Sequence, residues 1–166
     1  PHANLVGEVN GAAKTRGADR SQFNALELAA NALGVCEAAM EMAVNFARTP
    51  SRAEKPPIDH QLVQLKLSEM HMLIEALRSF VMRTAWERDR AVLRDKTMLD
   101  FINADFVMNF SKDVIQRITH LNMDIHGAAG CTMDARVDKL VRDAMIWTHL
   151  AGDSVQRIKA VKHLIK

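Results

Sequence analysis

Tyrosine is absent from the chain, cysteine occurs twice, proline four times and glycine seven times in 166 residues. Each scarcity closes a class of explanation. Cys36 and Cys131 stand far apart, outside any Cys-x-x-Cys motif, and no His/Cys spacing suits zinc. Two reduced thiols in a cytoplasmic protein are expected, or in the mitochondrial matrix if the source is eukaryotic. Few glycines and prolines mean few turns and therefore long elements. No apolar run reaches membrane-spanning length, and no signal peptide is read at the start, which opens on Pro1. The formal charge of +2 is too small to announce a nucleic-acid partner, and no basic stretch is interleaved with aromatics. Gly-x-Gly-x-x-Gly, P-loop and nucleophile-elbow motifs are missing. So is the Glu-x-x-His pair of a ferritin-like di-iron bundle. Seven histidines are present, yet no i, i+4 pair comes with a third ligand, so His71 and His120 read as structural or solvated.

What is present is helical periodicity. Apolar residues make up 48% and charged residues 25%, as in an ordinary globular domain, and ten methionines supply adaptable packing. After an irregular start with Asn4-Leu5-Val6-Gly7 as a strand or turn candidate, a first helix is predicted over about 19–48. Leu26, Ala30, Leu33 and Glu37 share one stripe of it; Ala29, Ala32, Cys36, Met40, Val44 and Ala47 form the neighbouring apolar stripe. Pro50, Pro56 and Pro57 enforce a loop. A second helix is predicted over 59–88, capped by Asp59, with Leu73, Ala76, Leu77, Phe80, Val81 and Thr84 at helical spacing. Glu87-Arg88-Asp89-Arg90 reads as its solvated end. A third helix over 95–126 carries Val107, Phe110, Val114, Ile118 and Leu121. A fourth over 135–149 turns Val137, Leu140, Val141, Ala144, Met145 and Thr148 inward, and a short fifth over 153–164 closes the chain. The fold class is therefore all-α, an antiparallel helical bundle. Ala-rich and Met-rich faces on the first and third helices predict apolar area that an oligomer would cover.

Residues 126–157 carry the most information about function. Gly127-Ala128-Ala129-Gly130 breaks the long helical pattern; Arg142-Asp143-Ala144 lies in the next helix; Ala151-Gly152-Asp153 breaks it again, before Ser154-Val155-Gln156-Arg157. Upstream stand Asn4-Leu5-Val6-Gly7-Glu8 with Gly11, then AANALGV from Ala29, His60-Gln61-Leu62-Val63-Gln64 with Leu67 and Met70, and Ala85-Trp86. Each motif alone is weakly specific. In this order and spacing, across nearly the whole chain, they resemble the acyl-CoA dehydrogenase family. The resemblance implies that residues 1–18 are the exit from a middle β-domain, or a linker, and 19–166 the C-terminal helical bundle of that family. A complete member has three domains and about twice this length, so a fragment, a split subunit or a chain whose other part lies elsewhere is expected. FAD lies between the β-domain and the bundles of two subunits, and electron-transfer flavoprotein reoxidises it. The implied chemistry is α,β-dehydrogenation of an acyl-CoA thioester in fatty acid metabolism, within a homo- or hetero-oligomer.

Site residues come from the same resemblance, one position at a time. His60 and Gln61 match a pair beside FAD. Gly127 and Gly130 match the turn near the partner subunit's adenine and diphosphate, where a backbone must approach closely; ending a helix is the alternative use of the same glycines. The family's diphosphate-pairing arginine falls at Pro50 and a flavin-packing aromatic at Ala53, while Arg52 is either a replacement anion partner or a solvated loop residue. Asp124 sits at a usual glutamine, Gly152 at a flavin-bonding threonine, and Ser154 is the candidate to compensate. The catalytic glutamate falls at Leu150, and the alternative base position at Asn24, with Ala25 next to it instead of arginine. Neither leucine nor an amide accepts a proton from a thioester α-carbon. Glu27 and Asp153 are the nearest carboxylates in sequence, Asp153 being equally placed to cap the closing helix. The expectation is a subunit without its own base that supports a partner. The competing expectation is a non-enzymatic helical interaction domain that has lost flavin.

Overall fold

The computed structural model describes residues 18–50, 55–94 and 102–150, with 157, 158, 161 and 165 beyond them. Helix α1 spans Ala18–Arg48, α2 Gln61–Arg94, α3 Ile102–His126, α4 Val137–Met145 and α5 Trp147–Leu150. One 3₁₀ turn, Pro57–Asp59, precedes α2 and another, Gly127–Cys131, comes directly after α3. Among the described residues there is no strand, so the all-α expectation holds. The strand candidate at residues 4–7 and the start of the third helix at 95–101 lie outside the described residues, as does most of the closing segment, of which Arg157, Ile158 and Val161 are helical.

The densest packing joins α1 to α3. Its cause is a seam of small residues: Ala25, Ala29, Ala32, Cys36, Ala39, Ala43 and Ala47 recur every three or four positions and are essentially sealed from solvent. Small side chains let two helix axes approach to the short end of the usual 8–10 Å range. Opposite, α3 contributes Val107, Val114, Ile115, Ile118 and Leu121, all buried. Helix α2 buries Leu67, Met70, Ile74, Leu77, Val81 and Thr84 against the same core. Thr84 satisfies its hydroxyl by donating to the Phe80 carbonyl at 2.8 Å, so a polar residue sits in the core with little penalty. Full burial of a residue such as Leu77 contributes about 1.5–3 kcal/mol.

Side-chain pairs set the direction of the helices. Lys66 holds Asp124 at 3.1 Å, Arg117 holds Glu69 at 2.6 Å, and Phe80 lies 6.2 Å from Phe110 between ring centroids. Rising numbers on α2 meet falling numbers on α3, which makes the pair antiparallel. Phe46 stacks on His126 at 4.1 Å, bringing the C-terminal ends of α1 and α3 together.

Several expectations need correction. Asp59 does not cap α2. It belongs to the 3₁₀ turn, its N–H donating to Pro56, and the His60 carbonyl accepts the first helical N–H groups, from Val63 and Gln64. Glu87-Arg88-Asp89-Arg90 is not a helix end, because α2 continues to Arg94, with Arg83 holding Glu87 at 2.8 Å and Arg90 stacked 4.7 Å over Trp86. Met145 is half exposed, whereas Trp147 is buried with its indole N–H donating to the Leu28 carbonyl at 3.3 Å. The reason is a tightening at Ile146, whose N–H reaches back only three residues to Asp143 and so rotates α5 relative to α4. Ala76 is exposed, unlike Leu73, Leu77, Phe80, Val81 and Thr84 with which its spacing grouped it, and Ala30 is exposed on α1. The exposed apolar area also lies elsewhere than expected. Helices α1 and α3 bury their apolar faces on each other, while Leu62, Leu65, Met72, Met82, Trp86 and Leu93 of α2 are all more than half exposed.

Candidate functional site

Leu150 sits on α5, nearly half exposed, its N–H donating to the Ile146 carbonyl at 3.0 Å. Two contacts fix that short helix. Trp147 ties it to Leu28 of α1, and Gln116 of α3 donates to the Thr148 hydroxyl at 2.8 Å. Leu28 lies one turn beyond Asn24, and Trp147 about one turn before Leu150. The two elements that carry the expected base positions are thus anchored to each other, although the Asn24 side chain lies outside the described residues. Leu150 offers only hydrocarbon there. Glu27 is an exposed residue on the outside of α1. Both acids of α4 are already paired, Asp138 with Arg142 and Asp143 with Lys139. The Arg142 guanidinium holds the Asp138 carboxyl below its usual range. Arg157 spans both carboxylate oxygens of Asp113 at 2.7 Å, so the second residue of the Gln-Arg pair has a structural partner on α3. Sequence reasoning missed these pairs; the i, i+4 spacing of Asp138/Arg142 and Lys139/Asp143 was the available signal.

The glycine turn has a local explanation. Gly127 adopts φ +56° in open space, so its role is conformational: it ends α3 in the left-handed region where a side chain is strained. Gly130 is buried, and a Cβ there would meet the Met123 sulfur at 2.7 Å and the His126 Cβ at 3.1 Å. The room that a glycine leaves is filled by the chain's own α3. His126 itself is buried, stacked on Phe46, with Nδ1 donating to the Asn122 carbonyl at 2.9 Å. In the neutral ring this fixes the Nδ1–H tautomer.

His60 and Gln61 are exposed at the start of α2, and Gln64 reaches back to bond the Ile58 carbonyl at 3.0 Å. Asp124, where the resemblance expects a glutamine, is engaged by Lys66 at 3.1 Å. Pro50 is exposed and offers no cation. Arg52, Ala53, Gly152, Asp153 and Ser154 lie outside the described residues. A flavin needs cationic or N–H partners for its diphosphate and a close backbone approach. Among the described residues the buried glycine is closed by Met123 and the Asp124–Lys66 pair is satisfied internally. The other described candidates, His60, Gln61 and Gly127, are exposed.

With the geometry in place, the class of protein is clear. Residues 19–164 match the model of the acyl-CoA dehydrogenase C-terminal domain, and the chain belongs to the acyl-CoA dehydrogenase family. It is 26% identical over 171 residues to the probable acyl-CoA dehydrogenase YngJ of Bacillus subtilis, covering 100% of this chain and 42% of that protein. It is 28% identical to the 3-(aryl)acrylate reductase of Clostridium sporogenes, covering 99% of this chain and 42% of the relative. Among solved structures, the butyryl-CoA dehydrogenase of Megasphaera elsdenii superposes with a TM-score of 0.79 at 26% identity, over 100% of this chain and 42% of that one. The chain thus spans about two-fifths of the length of the relatives it matches. No helix among the described residues is long and apolar enough to cross a membrane, and no group of three or more metal-binding side chains is found among them.

Proposed function

We propose that this chain is the C-terminal bundle of an acyl-CoA dehydrogenase-like flavoprotein subunit that supplies no catalytic base and supports α,β-dehydrogenation of an acyl-CoA on a partner. The reading is carried by Leu150: the resemblance sets this apolar residue where the family has its glutamate, and its short helix is held by Trp147 and Gln116. A base must reach the α-proton directly or through one water, and a leucine does neither. The paired state of Asp138 and Asp143 leaves α4 without a substitute. The names of the relatives support acyl-CoA thioesters, or acrylates of that kind, as the substrate class. FAD would be the cofactor, held mainly by the rest of the assembly, and electron-transfer flavoprotein its oxidant.

The test is a purified assembly containing the complete protein, assayed with acyl-CoA and an artificial electron acceptor. Asp153→Asn and Glu27→Gln should leave activity unchanged. A fall of about 10²–10⁴-fold in either variant would identify a relocated base and sink the reading. Activity that depends only on the carboxylates of a partner chain would sustain it.

A second reading, a helical interaction domain without flavin, is favoured by the closure of Gly130 over Met123 and His126. Flavin absorbance in the purified complete protein separates the two.

A further inference from the structure

The ten methionines of the sequence read as adaptable packing, and the structure divides them. Met70 and Met108 are buried, whereas Met72, Met82, Met133 and Met145 are at least half exposed. A thioether is oxidised by peroxide according to its exposure, so these four sulfurs share a fate. They do not share a consequence. Met145 has a polar side chain at its sulfur: the Gln116 amide nitrogen donates to Sδ at 4.0 Å. Among the described residues no hydrogen bond reaches the sulfur of Met72, Met82 or Met133. The same Gln116 nitrogen donates to Thr148 Oγ1 at 2.8 Å. An amide NH₂ carries two hydrogens, so both bonds stand together, but a hydroxyl is a good acceptor and a thioether a weak one. The two acceptors flank Ile146, where the N–H reaches back to Asp143 and the chain passes from α4 to α5. One side chain of α3 thus grips the joint on both sides, firmly at Thr148 and loosely at Met145.

We propose that Met145 is a reversible oxidation site whose sulfoxide, through Gln116, locks the α4–α5 joint to α3. The oxidant is hydrogen peroxide. A sulfur lone pair attacks one peroxide oxygen, the O–O bond breaks and an S–O bond forms. The departing oxygen takes the proton from the transferred one and leaves as water. Sulfur loses two electrons and peroxide gains them. The new oxygen is polar and a far stronger acceptor than the thioether it modifies. An N···S separation of 4.0 Å leaves room for that oxygen between sulfur and amide, at ordinary N–H···O length. Oxidation disrupts a core when it makes a packed apolar side chain polar. Met145 is half in solvent and faces an amide, so the change adds a hydrogen bond there and removes none. The sulfoxide is chiral: one epimer directs its oxygen to Gln116 and the other directs it away. Reversal takes methionine sulfoxide reductases, one enzyme per epimer.

The lock concerns the candidate site because α5 carries Leu150, and in that respect it rests on the subunit reading above. The experiment treats the complete protein with dilute hydrogen peroxide, in a Cys131→Ser background that removes the exposed thiol. Peptide mass spectrometry follows conversion of Met145 and Met133, and hydrogen exchange follows the Ile146 and Leu150 amides. Conversion of Met145 should slow exchange there by about two- to tenfold, the effect of one net hydrogen bond on an opening equilibrium. Gln116→Leu and Met145→Leu should each abolish that response, although Gln116→Leu also raises the starting rate by releasing Thr148. Treatment with both reductases should restore the original rate. A Met145 that stays unmodified while Met133 converts would overturn the proposal. So would unchanged or faster exchange after conversion, or the same slowing in Gln116→Leu. A loss of activity in Asp153→Asn or Glu27→Gln would instead sink the subunit reading and leave the lock standing.

Discussion

The alanine seam of α1 and the glycine turn after α3 are both made of residues with little side chain, and they use that smallness differently. In the seam, Ala29, Ala32, Ala39 and Ala43 are small so that a neighbouring helix can come close; the backbone there is regular and any L-residue could adopt it. In the turn, Gly127 is free of neighbours and its constraint is the backbone angle, while Gly130 is crowded by Met123 and His126. A string of small residues therefore has three physical meanings in this one chain: axis separation, left-handed backbone and local crowding. A fourth, approach to a cofactor, is the one that family resemblance supplies, and the first three suffice to explain the described positions.

The comparison breaks first at the seam. Ala39→Leu should destabilise the protein by about 2–3 kcal/mol, since the added methylenes have no void to enter. Ala30→Leu, on the exposed side of the same helix, should change stability by less than about 0.5 kcal/mol. Denaturant midpoints measure both, and equal values would mean that α1 and α3 are not closely seated. Next comes the turn. Gly127→Ala should cost about 1–2 kcal/mol through its positive φ, and Gly127→Asn distinctly less, because asparagine tolerates the left-handed region. Gly130→Ala should cost about 1 kcal/mol and be partly rescued by Met123→Ala, a coupling that Gly127→Ala should lack.

A smaller effect is expected at Asn122, on α3 between seam and turn. Its side chain is fully buried, and neither amide atom has a partner among the protein groups. Asn122→Leu should leave stability equal or raise it by up to about 1 kcal/mol, because an unsatisfied amide is removed. A loss above about 2 kcal/mol in thermal melts would show that the amide is bonded after all, by ordered water or by another part of the assembly. The smallest effect is ionic. The Arg117 guanidinium holds the Glu69 carboxyl below its usual range, and Arg83 with Asn103 does the same for Glu87. A lowered carboxylate contributes stability above its unfolded pKa and loses it as pH falls through the folded one. Glu69→Gln should therefore flatten the acid limb of the stability–pH curve and leave the limb above neutrality unchanged. An identical acid limb would show that solvent screening removes the effect of this exposed pair.

These contrasts explain which parts of the molecule were legible in the sequence. On α3 the large residues Val107, Val114, Ile118 and Leu121 mark the core face without ambiguity, and all are buried. On α1 the same reasoning set Ala30 in a stripe with Leu26 and Leu33 and left Ala39 and Ala43 out of the apolar one, because alanine is small enough for either face and its hydropathy does not discriminate. Periodicity also failed across Ile146, where a three-residue bond shifts the phase and exchanges Met145 for Trp147. Asp59 had the chemistry of a cap and lost the role to a 3₁₀ turn begun by Pro57, a matter of backbone geometry. At the site, the leucine at position 150, where the resemblance implies a glutamate, was readable as a letter. The anchoring of its helix through Trp147 and Leu28, residues 119 apart, was not, since nothing local encodes a contact of that span. The apolar surplus of α2 escaped for a related reason: a helix carrying two apolar faces, one inward and one outward, has no single polar side to identify it.

Cys36 gives the seam a clock. Its thiol is sealed at the middle of α1, and burial, with a lesser push from Glu37, raises its pKa from 9.0 to about 12. A disulfide reagent in mildly alkaline solution meets a protonated, inaccessible sulfur there and an exposed one at Cys131. Modification should therefore run in two phases, the first immediate and the second gated by separation of α1 from α3. When closing outruns modification, the ratio of the slow rate to that of an unfolded thiol reports the free energy of opening. The same alanines that let the helices touch thus make a single sulfur atom a timer for their parting, readable without denaturant.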